Sequence, residues 1–356
     1  MKIQLYHPSG RIVSLDIMKG LGILLLLLSH SIPGESLLKT WIFSFHMPLF
    51  FWCTGYLIAA KHPDREALRE NLGKILGKKA VTILIPYVIF SLLIILYQVL
   101  LQLLYSHTVD TAAILNNLIR VIELKGIESL WFLPCLLLAE FLFITLYAYS
   151  PKWGIGFMCF VSVVLSFLFN NRLPAGIPGV VIRSTTGFVF ICFGALSCAF
   201  CQMQIHNRAV SILNSLWICL FSVILGAVLS IINGFAAIGN YTFGFVPFFY
   251  ISAFLTLHGC MGLCKRAPKL QVVPFFGKNS IVVLCTNNLV IEIFRLLDGT
   301  LTGGFFLCHG MVGNILFAVL LAIFEIPVIM IGMRYFPYLF GVFPKRENRM
   351  SESEKT

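Results

Sequence analysis

The chain alternates between apolar runs of about 20 residues and short polar joints. Such runs lie near 12–33, 41–60, 80–104, 129–149, 154–169, 179–200, 209–232, 243–263, 280–297 and 305–333. A helix rises 1.5 Å per residue, so about 20 residues cross the roughly 30 Å hydrocarbon core of a bilayer. Inside lipid every backbone polar group must be satisfied within the chain, which leaves helices or a closed barrel. The period-two alternation of barrel strands is absent. The pattern predicts an all-α integral membrane protein, a bundle of about ten transmembrane helices forming one domain over 1–344, with no soluble domain of any size. A polar tail follows at 345–356. The outer segment 105–128 carries apolar positions at helical spacing, Ala112 to Leu115 and Leu118, Val121 and Ile122. It predicts a helix along the interface that roofs an outer cavity, or else a solvated loop.

Composition agrees with the pattern: 58% of the 356 residues are hydrophobic and 12% charged, against roughly 25% charged in a soluble domain. The net charge of +11 at first suggests nucleic acid as a partner, but its distribution is topological. Ten spans put both termini on one side. With that side cytoplasmic, 19 of the 26 Lys and Arg residues fall there and 4 fall outside (Lys39, Arg120, Lys125 and Arg172). Three lie within spans, and the bias follows the positive-inside rule. The densest basic segment, Lys61 to Lys79, is therefore read as a cytoplasmic loop, part helix. The expected location is a bacterial cytoplasmic membrane, crossed many times, with membrane lipid as a partner and no nucleic acid. Lys2 and Arg11 ahead of Leu21–Leu28 also fit a cleaved signal peptide, but Asp16 and Lys19 lie unusually close to such an apolar core. The eleven cysteines sit in or beside the spans and read as small core residues. Cys198 and Cys201 have metal or redox spacing without a second pair or adjacent histidine, so no metal is expected.

Ionisable side chains inside a span cost about 2.5–3.5 kcal/mol each at the centre, so each needs a reason. Span one holds Asp16, Lys19 and His30; His46, Glu140, Arg183, His258, Glu292, Arg295 and Glu325 are spread over the others. Lys19 and His30 are eleven residues apart, which returns to within about 20° of one direction and separates them by about 16 Å. They share a face, with Lys19 near the cytoplasmic surface and His30 far across the membrane. Singly, Lys19 also fits a lysine snorkelling from a helix end and pairing with Asp16, and His30 a core histidine. Together they describe a polar stripe suited to lining a cavity, with a charged ligand at one end and a proton acceptor at the other. Histidine is the side chain best suited to general-base work near neutral pH, which makes His30 the leading catalytic candidate. Ser29 and Ser31 point about 100° away and are poorly placed as nucleophiles activated by it. His46 lies at the same depth, beside Pro48, which bends or starts its helix. Glu292 and Arg295 can pair at i,i+3 or contact substrate. Glu140 and Arg183 have no partner on their own helices.

These residues resemble the acyltransferase 3 family of bacterial membrane acyltransferases, in its polysaccharide and fucose O-acetylase branch. Arg11 to Gly20 through His30 is similar to the family's opening motif, a basic residue and then a histidine. Phe45-His46-Met47-Pro48-Leu49-Phe50-Phe51 through Gly55-Tyr56-Leu57 resembles the second motif. Leu130-Trp131-Phe132-Leu133-Pro134 resembles the third, and Gly277-Lys278-Asn279-Ser280 a later one. The resemblance implies that acetyl-CoA or another acyl-CoA binds from the cytoplasm. It further implies that the acyl group passes through the membrane to a hydroxyl on an outer-face carbohydrate, a polysaccharide or lipid-linked sugar. Lys19, with Asp16 beside it, is implied to contact the donor, and His30 to be catalytic. Many relatives carry a histidine where this chain has Asn287, and lysine at 19 replaces an arginine, keeping the charge but losing bidentate geometry.

The expected reaction is direct transfer, His30 taking the hydroxyl proton as the oxygen attacks the thioester; a covalent acyl-enzyme is the variant. His46, Trp131, Glu292 and Arg295 are the candidate substrate contacts, with Trp131 offering a face on which a sugar can stack. A glycolipid transporter or flippase would use a polar stripe equally well, and a structural or sensor protein is a third reading. A transporter more often shows interrupted spans in two matching halves, and no such internal symmetry is present.

Overall fold

The computed structural model describes residues 11–203, 212–267, 271–308 and 310–343. The tail expected at 345–356 lies outside them. The described residues are helical, with a single isolated antiparallel bridge between Ala237 and Thr242. In chain order the helices are α1 Val13–Ser31, α2 Leu37–Lys61, α3 Arg65–Glu70, α4 Leu72–Ser106 and α5 Thr111–Ile122. After a 3₁₀ turn at Glu128–Trp131 come α6 Phe132–Tyr149, α7 Lys152–Leu168, α8 Gly176–Met203, α9 Leu216–Asn233 and α10 Val246–Cys264. They are followed by α11 Val272–Lys278, α12 Ser280–Leu297, α13 Phe305–Cys308 and α14 Gly310–Tyr335. Nine helices among the described residues are long and apolar enough to cross a membrane. The run expected at 154–169 is α7, a 17-residue apolar helix about 25 Å long, shorter than the other nine.

Two helices begin earlier than the hydrophobic runs. Helix α2 starts at Leu37, capped by the Ser36 hydroxyl, which accepts a hydrogen bond from the Lys39 backbone N–H, so Pro48 lies inside the helix and does not start it. Helix α4 starts at Leu72, and its 35 residues span about 52 Å. Its first turns carry Lys74, Lys78 and Lys79 beyond the apolar core, which makes the basic segment after Lys61 largely helical.

The packing inverts the logic of a soluble protein. On α9, Trp217, Phe221, Ile224, Val228 and Ile232 form an exposed stripe at helical spacing, while Cys219, Ser222, Gly226 and Ser230 are buried against α10. Small and weakly polar residues let helices approach closely where lipid gives no hydrophobic drive to associate. The same device joins α2 to α8: a Cβ on Gly55 would collide with the Ile191 carbonyl, and one on Gly194 with that of Trp52. Helix α1 is surrounded by α2, α10, α11, α12 and α14, which buries the segment carrying Asp16, Lys19 and His30 in the middle of the bundle.

Buried charges find partners across helices. Lys79 Nζ on α4 lies 2.8 Å from Glu140 Oε2 on α6, and Thr286 Oγ1 donates to Glu325 at 3.0–3.2 Å. Cys201 accepts a hydrogen bond from Lys265 at 2.7 Å. The described cysteines are free thiols, and no group of three or more His, Cys, Asp or Glu side chains converges on a metal-sized site among the described residues.

Candidate active site

At the end of the bundle where α2 begins, a cavity of about 750 Å³ opens between α1, α2, α5, α8 and α12. Helix α1 contributes His30 from its last turn, and α2 contributes Phe43, His46 and Met47. The two histidines, sixteen residues apart in sequence, thus meet in one space. Phe43 stands against both, its ring centroid 6.4 Å from that of His30 and 4.9 Å from that of His46.

The two imidazoles are held differently. His46 Nδ1 lies 2.8 Å from the Ile42 carbonyl oxygen, which can only accept, so Nδ1 carries the proton and the neutral ring keeps its lone pair on Nε2. No described residue hydrogen-bonds the His30 ring, so both its nitrogens remain available to a ligand. The His30 backbone is anchored instead: Arg295 Nη2 donates to its carbonyl at 3.2 Å, placing a cation at the C-terminal end of α1. Arg295 also pairs with Glu292 at 3.0 Å, and both line the cavity. Glu292 and Arg295 therefore form the i,i+3 pair and border the site at once.

The remaining wall comes from the 3₁₀ turn, α5, α8 and the loop before α10. Leu124 and Glu128 adopt positive φ values of 59° and 50°, and this tight turn delivers Glu128, Ser129 and Trp131 to the cavity. Asn288 Nδ2 donates to Ser129 Oγ at 2.9 Å, tying the turn to α12. The loop at 234–245 brings Gly239 and Asn240 to the rim. It is pinned by Asn170, whose side chain accepts from the Phe243 N–H at 3.0 Å and donates to the Gly244 carbonyl at 2.9 Å. The Arg183 guanidinium lies over the Trp131 ring, 5.1 Å from its centroid. Helix α5, the amphipathic helix expected in the outer segment, adds Asn116 and Arg120.

Asp16 and Lys19 are not part of this cavity. Lys19 Nζ lies 3.5 Å from Asp16 Oδ1, and Asp16 Oδ2 is buried without a hydrogen-bond partner. Ile23 and Leu26 project from the same side of α1 between Lys19 and His30 and are buried, so the stripe is polar at its ends and apolar in the middle. Lys19 faces the other end of the bundle, where a second pocket of about 410 Å³ is lined by Lys61, His62, Asn71, Lys74 and Lys78. Lys61 feels the charges of Lys79, Lys19, Lys78 and Arg11. His46 in one pocket and Lys61 in the other are fifteen residues apart on α2, about 22 Å of helix.

The profile of the acyltransferase 3 family, described as an acyltransferase domain, matches residues 12–334, nearly the whole chain. The chain belongs to that family. Comparison with curated proteins and with solved structures yields no match. Membership supports membrane acyltransferase activity and an acyl donor, and apart from Arg11 the four motif segments fall within the matched range.

The structure gives those motifs different tasks. His30 and His46 line the cavity, and Trp131 lines it while supporting Arg183. Gly277 contributes no chemistry and packs against the α1 backbone at Asp16 and Gly20. Arg183 was visible in the sequence only as an unpaired charge in a span. Arg120, Glu128, Asn240 and Asn288 gave no signal, because loop and helix-end polar residues are common and only the fold brings these together.

Proposed function

We propose that this acyltransferase takes an acyl group, most simply acetyl, from acyl-CoA on the cytoplasmic side and transfers it to a hydroxyl of a cell-surface carbohydrate. The observation that carries the reading is the pair of pockets at opposite ends of one bundle, one containing two histidines and the other lysine-rich. In the lysine-rich pocket Lys61, Lys74 and Lys78 would meet the phosphates of CoA, with Lys19, oriented by Asp16, at the inner mouth. The thioester would lie along α1, displacing Ile23 and Leu26, with its carbonyl near His30. A ring nitrogen of His30 takes the hydroxyl proton as the sugar oxygen bonds to the carbonyl carbon; the C–S bond breaks and the thiolate recovers the proton. His46, Glu292 and Arg295 would border the acceptor. The family match favours this over a glycolipid transporter or flippase.

Release of free CoA by the purified protein on adding acetyl-CoA and carbohydrate tests the reading. Lys19→Ala should raise the donor concentration needed for half-maximal rate by about tenfold, and Lys19→Arg by much less, since a cation at a phosphate is lost in one and kept in the other. Equal donor dependence in wild type and Lys19→Ala would leave Lys19 as a snorkelling lysine. No CoA release with any carbohydrate would return the transporter reading to first place.

In the same proposal the chain crosses a bacterial cytoplasmic membrane ten times, α7 included, with both termini in the cytoplasm and the histidine cavity outside. Asn170 is joined to the cavity-side loop 234–245, whereas Arg65 and Arg69 of α3 donate to the Ser150 and Ala148 carbonyls at the other end. A membrane-impermeant thiol reagent applied to intact cells should therefore label Asn171→Cys and spare Glu70→Cys. The reverse pattern would invert the donor and acceptor sides.

A further inference from the structure

The histidine cavity holds more cation than its own acids neutralise. Arg295 is paired with Glu292, and Lys125 with Glu123 at 2.8 Å. Glu128, which accepts a hydrogen bond from Asn288, feels the charges of Glu292, Arg120 and Arg295 without an ion pair to either arginine among the described residues. Arg183 is left over: the charged or titratable groups acting on it are Cys135, Tyr241 and Arg120, none of them a carboxylate, and Arg120 is a like charge. Its Nε is buried without a hydrogen-bond partner, and no described acid forms an ion pair with it. Position 183 lies seven residues into α8, about 10 Å along a membrane-spanning helix, where an uncompensated cation is costly. Trp131 holds the guanidinium through its ring face, and the indole is in turn bordered by Gly239, whose lack of a side chain leaves room for it. A planar fork of donors is thus oriented in the cavity wall with no anion among the described residues to receive it.

Resting on the acyltransferase reading of this cavity, we propose that the acceptor sugar carries an anionic group, a carboxylate or a phosphate, which Arg183 binds on its Trp131 platform with Arg120 in support. Fixing that charge would set the register of the sugar, so that one neighbouring hydroxyl faces His30 and the others do not. Trp131 then acts as a positioning residue for Arg183, and the ring face covered by the guanidinium is not the one on which a sugar stacks.

The test uses the full-length protein in lipid nanodiscs and two matched pairs of probes. Trigalacturonate and its methyl ester differ in carboxylate charge, and glucose 1-phosphate and glucose differ in a phosphate. Binding is measured by calorimetry, and transfer by CoA release from acetyl-CoA. At least one charged probe should bind wild-type protein tenfold or more tightly than its neutral partner, and the pair that shows the preference distinguishes carboxylate from phosphate. Arg183→Gln should abolish the preference, Arg183→Lys should keep part of it, and Arg120→Gln, on the exposed side of α5, should reduce it. The wild-type comparison decides the matter even if Arg183→Gln fails to insert. Equal affinity for both members of both pairs, or a preference that survives Arg183→Gln, overturns the anion site. A charge preference without CoA release from any acceptor would support the anion site and count against the acyltransferase reading. Equal CoA release with charged and neutral acceptors would do the reverse.

Discussion

Replacing His30 by alanine is expected to lower acyl transfer by about 10² to 10⁴ while the protein remains inserted and still binds acyl-CoA. That range is what a general base contributes, and its loss falls on turnover rather than on donor affinity. The structure sharpens the expectation. The His30 ring makes no hydrogen bond to a described residue, so removing it orphans no donor or acceptor among them, and its backbone stays tied to Arg295. His46 is the natural comparison, because its Nδ1 is committed to the Ile42 carbonyl and its ring, unlike that of His30, is held by the protein. The variants His30→Asn and His30→Gln decide between chemistry and packing. An amide preserves hydrogen bonding in the wall but cannot accept a hydroxyl proton near neutral pH. O-acylation of surface carbohydrate should therefore be as low in both amide variants as in His30→Ala at matched expression. Near-normal transfer by either would remove His30 from catalysis without disturbing the family assignment.

The second large effect is expected at Gly277, in a place with no chemistry. Its Cα rests on α1, and a Cβ there would run into the Asp16 carbonyl and close on the Gly20 N–H, both backbone atoms that cannot rotate away. Gly277→Ala should push α11 off α1, at a cost of about 1–3 kcal/mol or somewhat more, because overpacking against backbone leaves no soft route of relief. Asp16 and Lys19 ride on the displaced turn, so donor dependence should worsen together with thermal stability. Gly73→Ala is the control, since a Cβ at that position meets nothing within 4 Å. Unfolding temperatures in detergent should separate the two variants clearly. Indistinguishable curves would show that α11 can slide on α1 and that the glycine is kept for another reason.

The linear order of residues by itself determined the class of the protein. Hydrophobic runs long enough for a bilayer leave the backbone only the helix, so α12 begins and ends where its apolar run does. The same arithmetic put Lys19 and His30 on one side of α1, because their angular relation is local to a single helix. Charge placement sorted the loops into two sets, and the structure puts Lys61, Lys74 and Lys78 at one pocket and Leu173, Pro174 and Gly176 at the other. Where helices begin was less legible: the start of α2 at Leu37 depends on a Ser36 cap, and α4 continues into a basic stretch that hydropathy reads as loop. Only the tertiary structure decided what fills the space between Lys19 and His30, since Ile23 and Leu26 look like ordinary lipid-facing residues until the bundle closes around α1. The same holds for the partners of the intramembrane charges. Glu140 meets Lys79 from sixty-one positions away, and Arg183 meets Trp131 rather than an acid. Such pairings are set by helix packing across the bundle, a long-range property that neither periodicity nor spacing along one segment encodes.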